Sequence, residues 1–412
     1  MPPGAAKSRA MSLVRIPSFA ARHPLARLIG GLGAGQIVGW GSSFYLPTIL
    51  AHDMSADIGL SEEVIYGGVT VMLLVSAALS PSVGRALDRG GARLIMTIGA
   101  ATTGVALILL AASFDLTSYL LAWAVMGGAG ALFLTNSCFV AVAQLAGAGA
   151  RRAMTILMLF TGSASSVAWP MLSYMNSALG WRMTCIVLAV VQLLLCAPFH
   201  WWLLGMKVEA SAASGGAVVV QEGLAPERQW IAMLILAPCM CLSGFITWGL
   251  SVHIVDLLRH LGAEGARAVW LASLLGALQV SARLVDLAMG SRHSPLLLGI
   301  VASALLSFSF VIPLSGLWPG SPAAAFMLVY GIASGSMSLA RVMMPLSLFG
   351  SRSYGRASGI LSAFQNVAYA LAPLAYATVF ERVGTPAAMW MSFVAGALTL
   401  IGLSMLFRMR HA

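Results

Sequence analysis

Three ionisable side chains interrupt stretches that are otherwise apolar: Arg283 and Asp286, three residues apart, and Arg341. A charge held in an apolar run costs at least about 2.5–3.5 kcal/mol on insertion scales, so each of the three needs a partner, a route to water or a task. Arg283 and Asp286 at i and i+3 can pair on one helix face. Two arginines against one aspartate then leave one guanidinium over for an anionic ligand. Asp286 would take up a proton, or release Arg283 when the anion arrives. The bland alternative is a structural pair plus an arginine that snorkels, because helix rise places all three only roughly 6–12 Å from a polar break.

His253 and Asp256 titrate and lie one helical turn apart, near the rim of their apolar run, where a wet gate fits better than a buried proton relay. Trp40 and Trp248 offer faces for stacking on a ligand, or an interfacial aromatic belt. Gln36, Tyr45, Asn136, Gln279, Gln365 and Asn366 are placed either to line a polar cavity or to bond helix to helix. Cys239 and Cys241 raise soft metalloid binding, but two residues apart on a helix is about 200°, so both thiols cannot face one ligand. All five cysteines sit inside apolar runs and read as small packing residues.

These residues need elements to hold them, and composition decides which. Only 9% of the 412 residues are charged and 59% are hydrophobic. Soluble domains carry roughly 25% charge, so the solvent is lipid. Apolar runs of about 20 residues, each enough for a ~30 Å hydrocarbon core, recur at 28–50, 64–83, 94–113, 119–146, 154–178, 183–204, 230–255, 267–289, 296–315, 323–349, 357–380 and 387–408. The expectation is an all-α membrane protein of twelve transmembrane helices. Stretches such as Leu94 to Ala112 show no period of two, which argues against a β-barrel.

With the N-terminus inside, seventeen basic residues fall in cytoplasmic breaks and four in outer ones, as the positive-inside rule requires. Both termini are therefore expected in the cytoplasm of a bacterial-type inner membrane. The +10 net charge is scattered through these breaks and forms no stripe for nucleic acid. The polar stretch from 205 to 229 reads as a central cytoplasmic linker. It separates an N-terminal half, 28–204, from a C-terminal half, 230–408, with tails at 1–27 and 409–412. Trp40-Gly41-Ser42-Ser43 parallels Trp248-Gly249-Leu250-Ser251, and Arg152 precedes Pro170 by eighteen residues as Arg356 precedes Pro373 by seventeen. This is a duplication, and it places a binding cavity between the halves near the midplane. Pro170 and Pro373 are expected to bend their helices. The four-residue spacing of Gly31, Gly35 and Gly39, and of Gly331 and Gly335, indicates close helix contact.

Between spans 2 and 3 the chain reads Gly84-Arg85-Ala86-Leu87-Asp88-Arg89-Gly90-Gly91-Ala92-Arg93. This resembles the loop signature of the major facilitator superfamily, and it stands at that family's topological position. The resemblance implies two six-helix pseudo-symmetric halves. It also implies a conformational gate in which Gly84 permits close approach while Asp88, Arg89 and Arg93 lock the cytoplasmic ends; Asp88 would face the N-terminal end of span 11 near Gly355 and Arg356. Gly39-Trp40-Gly41-Ser42-Ser43-Phe44, Pro170 followed by Gly180-Trp181-Arg182, and the His253-bearing end of span 7 resemble the monocarboxylate and oxalate/formate porter branch. Span 1 departs from many members in having no acid or lysine. Span 4 has Ala124 where proton-coupled members often carry arginine, and span 5 reads Val167-Ala168-Trp169-Pro170-Met171, without the drug-antiporter glycines.

No zinc-protease, nucleophile-elbow or phosphate-cradling sequence occurs, and Lys7 and Lys207 are the only lysines, so neither an enzyme nor ATP coupling is expected. The sequence points to a secondary carrier, monomeric as the transport unit, that moves a small organic anion such as a monocarboxylate by alternating access, with or without a coupled proton. No cofactor and no metal are called for. The alternatives are proton-driven efflux of drugs or metalloids, and a solute sensor that does not transport.

Overall fold

The computed structural model describes residues 24–206, 223–290, 293–316 and 321–411, and among these there is helix but no strand. The N-terminal half runs α1 (Pro24–Gly41), α2 (Leu46–Ile58), α3 (Glu62–Gly90), α4 (Ala92–Ala111), α5 (Leu116–Phe133), α6 (Thr135–Leu145), α7 (Ala150–Gly162), α8 (Ala164–Val190) and α9 (Ala197–Leu203). The C-terminal half runs α10 (Pro226–His260), α11 (Ala266–Met289), α12 (Pro295–Ser315), α13 (Pro322–Phe349), α14 (Tyr354–Arg382) and α15 (Thr385–His411). Most of the 205–229 linker and of the 1–27 tail lies outside the described residues; α10 already begins at Pro226, and α15 continues through 409–411.

Ten helical stretches are long and apolar enough to cross a bilayer. One of them, Ala150–Leu203, has 54 residues and would reach about 80 Å if straight. It turns back at Gly180, whose φ of 77° and ψ of 166° leave the helical region, so it makes two crossings. The pair α1 and α2 supplies the remaining one.

Four spans differ from the continuous helices the sequence predicts, the fifth by a one-residue break at Ser163 between α7 and α8. The first breaks at Ser42–Tyr45 and extends to Ile58 rather than ending near Leu50. Ser42 Oγ donates to the Val38 carbonyl at 2.7 Å and Ser43 Oγ to the Gly39 carbonyl at 2.6 Å, occupying acceptors at the end of α1. Pro47 then restarts the helix in its first turn, where its missing N–H costs nothing. The fourth span breaks at extended Leu134, and Ser137 Oγ takes the Ala131 carbonyl at 2.7 Å. The sixth contains a π-helical turn over Val191–Cys196. Pro170 and Pro373 both lie inside continuous helix; the sharp turn in α8 falls ten residues later at Gly180.

Apolar side chains gather in four clusters, one at each end of each half. The cluster at the Asp88 end of the N-terminal half also takes in Leu339, Met343, Leu346 and Tyr354 from the other half, so the halves cohere at that end. Leu121, Leu194 and Leu374, 58%, 67% and 69% exposed, face outward where lipid is the solvent. In such a bundle association rests on close packing and interhelical hydrogen bonds rather than on exclusion of water.

Candidate functional site: a cavity between the two halves

A cavity of ≈ 280 Å³ opens between the halves, walled by α1, α3, α5, α6 and α7 on one side and α10, α13 and α14 on the other. Its N-terminal wall is set by the break at Leu134, which turns Thr135 and Asn136 toward it. Thr135 Oγ1 accepts from Trp40 Nε1 at 2.8 Å, fixing that indole at the wall. The C-terminal wall carries Ser358, Ser362, Gln365 and Tyr369 at helical spacing along α14. Tyr369 donates to Gln365 Oε1 at 2.9 Å and stacks on Trp248 with centroids 4.5 Å apart and planes 9° from parallel.

Arg341 is the one charged residue among those that line this cavity. Its Nη1 donates to Thr247 Oγ1 at 3.2 Å, and among the described residues it forms no ion pair. Behind it Arg283 donates through Nη1 to the Met158 carbonyl at 3.0 Å and through Nη2 to Ser338 Oγ at 3.2 Å. Ser338 lines the cavity and Arg283 does not, so one hydroxyl separates the second guanidinium from the space.

Arg283 and Asp286 do not pair, contrary to the i,i+3 expectation. Asp286 is held from across the seam: its Oδ1 accepts from Arg151 Nη2 of α7 at 3.1 Å and from His293 Nε2 at 2.8 Å. A partner on a facing helix satisfies this buried carboxylate while Arg283 points instead to α7 and α13. Asp286, Arg151 and His293 thus form a bolt between the halves.

A second bolt stands at the end of α3. Asp88 Oδ1 accepts the Gly355 N–H at 2.9 Å and Oδ2 the Arg356 N–H at 2.7 Å, filling the first turn of α14, whose N-cap side chain makes no bond. The helices touch backbone to backbone here: a Cβ on Gly84 would collide with the Gly355 carbonyl oxygen. Arg89 is exposed and Arg93 turns away from the seam, donating from Nε to the Trp201 carbonyl at 2.8 Å and lying 4.0 Å over the Trp201 ring. Of the four residues assigned to a gate by resemblance, Gly84 and Asp88 meet the other half, and Arg93 instead ties α4 to α9.

At the opposite end the seam is thinner. Phe44 stands edge-on to Trp40 at 5.5 Å and to Trp248 at 5.2 Å, so a chain of rings crosses it. The buried residues of α14 cluster in Tyr354–Leu361, and those of α11 include Ala282, Arg283 and Asp286 at the same end. The halves are therefore packed tightly at the Asp88 end and more loosely beyond the cavity.

Of the ten residues proposed for a substrate or proton pathway, Trp40, Asn136, Trp248 and Arg341 line the cavity. Gln36 is buried within the N-terminal half, donating to the Phe133 carbonyl at 3.0 Å. Tyr45 packs among the Trp40 and Trp169 rings. His253 bonds the Pro373 carbonyl at 3.1 Å, joining α10 to α14 inside one half, and Asp256 pairs with Arg259 on the surface rather than with His253. Sequence reasoning missed Tyr369, Ser338 and the Arg151–His293 bolt. The α14 residues had a signal, a polar stripe at 358, 362, 365 and 369; Arg151 and His293, in short polar breaks, had none.

Two helical halves about a shared central cavity, closed by interlocking contacts at one end, define a polytopic carrier rather than an enzyme. Residues 32–310 match the Major Facilitator Superfamily. The chain belongs to that family and is a multi-pass secondary transporter. Its fold is similar to that of the human organic anion transporter MFSD10 (TETRAN), with a TM-score of 0.68 and 17% identity over 93% of this chain and 99% of that one. It is also similar to the proton:xylose symporter XylE bound to 6-bromo-6-deoxy-D-glucose, with a TM-score of 0.66 and 14% identity over 93% and 95% of the two chains. No curated protein matches the chain in sequence.

Proposed function

We propose that the protein carries a small organic anion across a bacterial inner membrane by alternating access, with both termini and the Asp88 end in the cytoplasm. The observation that carries the substrate class is Arg341, the cavity's one charged lining residue, buried to 8% exposure and without a carboxylate partner among the described residues. A buried guanidinium left with free N–H groups is poised for a carboxylate, which it grips through two parallel bonds. Orientation rests on the basic residues, most of which share the Asp88 end. Opening that end requires Asp88 to leave the α14 N-terminus and Asp286 to leave Arg151, while closure at the far end needs only the rings around Phe44 to pack more firmly. Metalloid export finds less support, because no cysteine lines the cavity and no cluster of metal-binding side chains occurs among the described residues.

Reconstitution in liposomes with imposed pH and solute gradients tests the reading. Labelled monocarboxylates are expected to accumulate, and Arg341→Ala to abolish uptake. Arg341→Lys is expected to lose most of it, since an ammonium lacks the planar fork. Transport of a cationic drug or arsenite with no effect of any carboxylate would overturn the proposal.

A further inference from the structure

Resting on the organic-anion reading, we infer that the cavity selects a planar, singly charged aromatic carboxylate, its ring against the Trp248–Tyr369 stack and its carboxylate on Arg341. Size is the first argument. At ≈ 280 Å³ the space lies just below the ~300–1,000 Å³ of ordinary ligand pockets, a size that suits a small ligand of one ring.

The second argument is the wall. Five aromatic residues, Trp40, Phe139, Trp248, Tyr354 and Tyr369, line one small space, and Trp248 and Tyr369 are already stacked as a rigid slab. The polar tips of two are spoken for: the Trp40 indole N–H by Thr135, the Tyr369 hydroxyl by Gln365. What these two rings have left to offer is π surface, which a flat ring uses and a short aliphatic acid does not.

The third argument is charge and donor count. Arg341 spends Nη1 on Thr247, leaving the rest of the fork. Gln365 spends its carbonyl on Tyr369, which leaves its amide N–H₂ as a donor. Two sets of donors suit one carboxylate. A second carboxylate would find no second guanidinium at the wall, because Arg283 does not line the cavity and stands behind the Ser338 hydroxyl.

Equilibrium binding to the purified full-length carrier, followed by tryptophan fluorescence and by counterflow of labelled benzoate in proteoliposomes, tests this. Benzoate is expected to bind at least about tenfold tighter than lactate, and phthalate, the aromatic dianion, is expected not to compete. Trp248→Leu is expected to weaken benzoate at least about fivefold and lactate by a smaller factor. The wild-type ranking decides the matter whether or not the variant folds. Lactate or phthalate competing as well as benzoate would overturn the aromatic monoanion while leaving organic-anion transport standing; no binding of any carboxylate would remove both.

Discussion

Asp88 gives its two carboxylate oxygens to two N–H groups that begin α14, and one residue thereby ties the two halves together. The bond is charge-assisted and lies on the axis of a helix dipole, a geometry worth up to about 2 kcal/mol when partly buried. Asp88→Asn keeps the shape, removes the charge and turns one of the two acceptors into a donor aimed at a backbone N–H of Gly355 or Arg356. It is expected to raise the labelling rate of a cysteine at Ser80, on the cavity wall above the contact, by up to about thirtyfold. An unchanged rate would mean that Asp88 does not hold this end shut. That Asp88 faces Gly355 and Arg356 could be foreseen because the loop resembles the family signature, which implies a contact between the cytoplasmic ends of the two halves. The partner of Asp286 could not: i,i+3 spacing offered Arg283, and only the fold brings Arg151, more than a hundred residues away, within 3.1 Å.

Helices are the scale at which the sequence speaks most clearly. Twelve apolar runs announced twelve crossings, but their breaks were hidden, since Ser42, Ser43 and Leu134 are unremarkable in an apolar run until their backbone acceptors are traced. A periodicity was present and unread. Met72, Ser76, Ser80, Gly84 and Asp88 recur every four residues along α3, and this stripe meets α14 and the cavity. Hydropathy averages over all faces of a helix, whereas the seam is one face, so the site was less legible than the span that bears it. The turn at Gly180 gives a prediction at this scale. Its φ of 77° with ψ of 166° is open essentially to glycine, so Gly180→Ala is expected to cost about 1–3 kcal/mol and lower the thermal unfolding midpoint in detergent. An unaltered midpoint would show that the turn relaxes at no cost.

For the whole molecule the important fact is that two bolts, Asp88 with α14 and Asp286 with Arg151 and His293, close the same end. If both bias one rocking equilibrium, their free energies add, and so do the logarithms of any rate that reports opening. The Asp88→Asn/Asp286→Asn double variant is accordingly expected to raise labelling of the Ser80→Cys probe by the product of the single-variant factors. A double variant no faster than the faster single one would show two local fastenings without a shared motion. The twofold plan was readable from Trp40 and Trp248, yet the halves use the pair differently: one indole is pinned by Thr135, the other stacks on Tyr369. Duplication preserves position, and each half has since found its own contacts.

The turn at Gly180 also sets how closely one crossing follows the other. Between Ala150 and Leu203 only the turn at Gly180 separates the two crossings, which leaves no room for a soluble loop between them. The pair is a tight hairpin with Arg182 beside its tip, where that charge meets Asp57 at 2.8 Å.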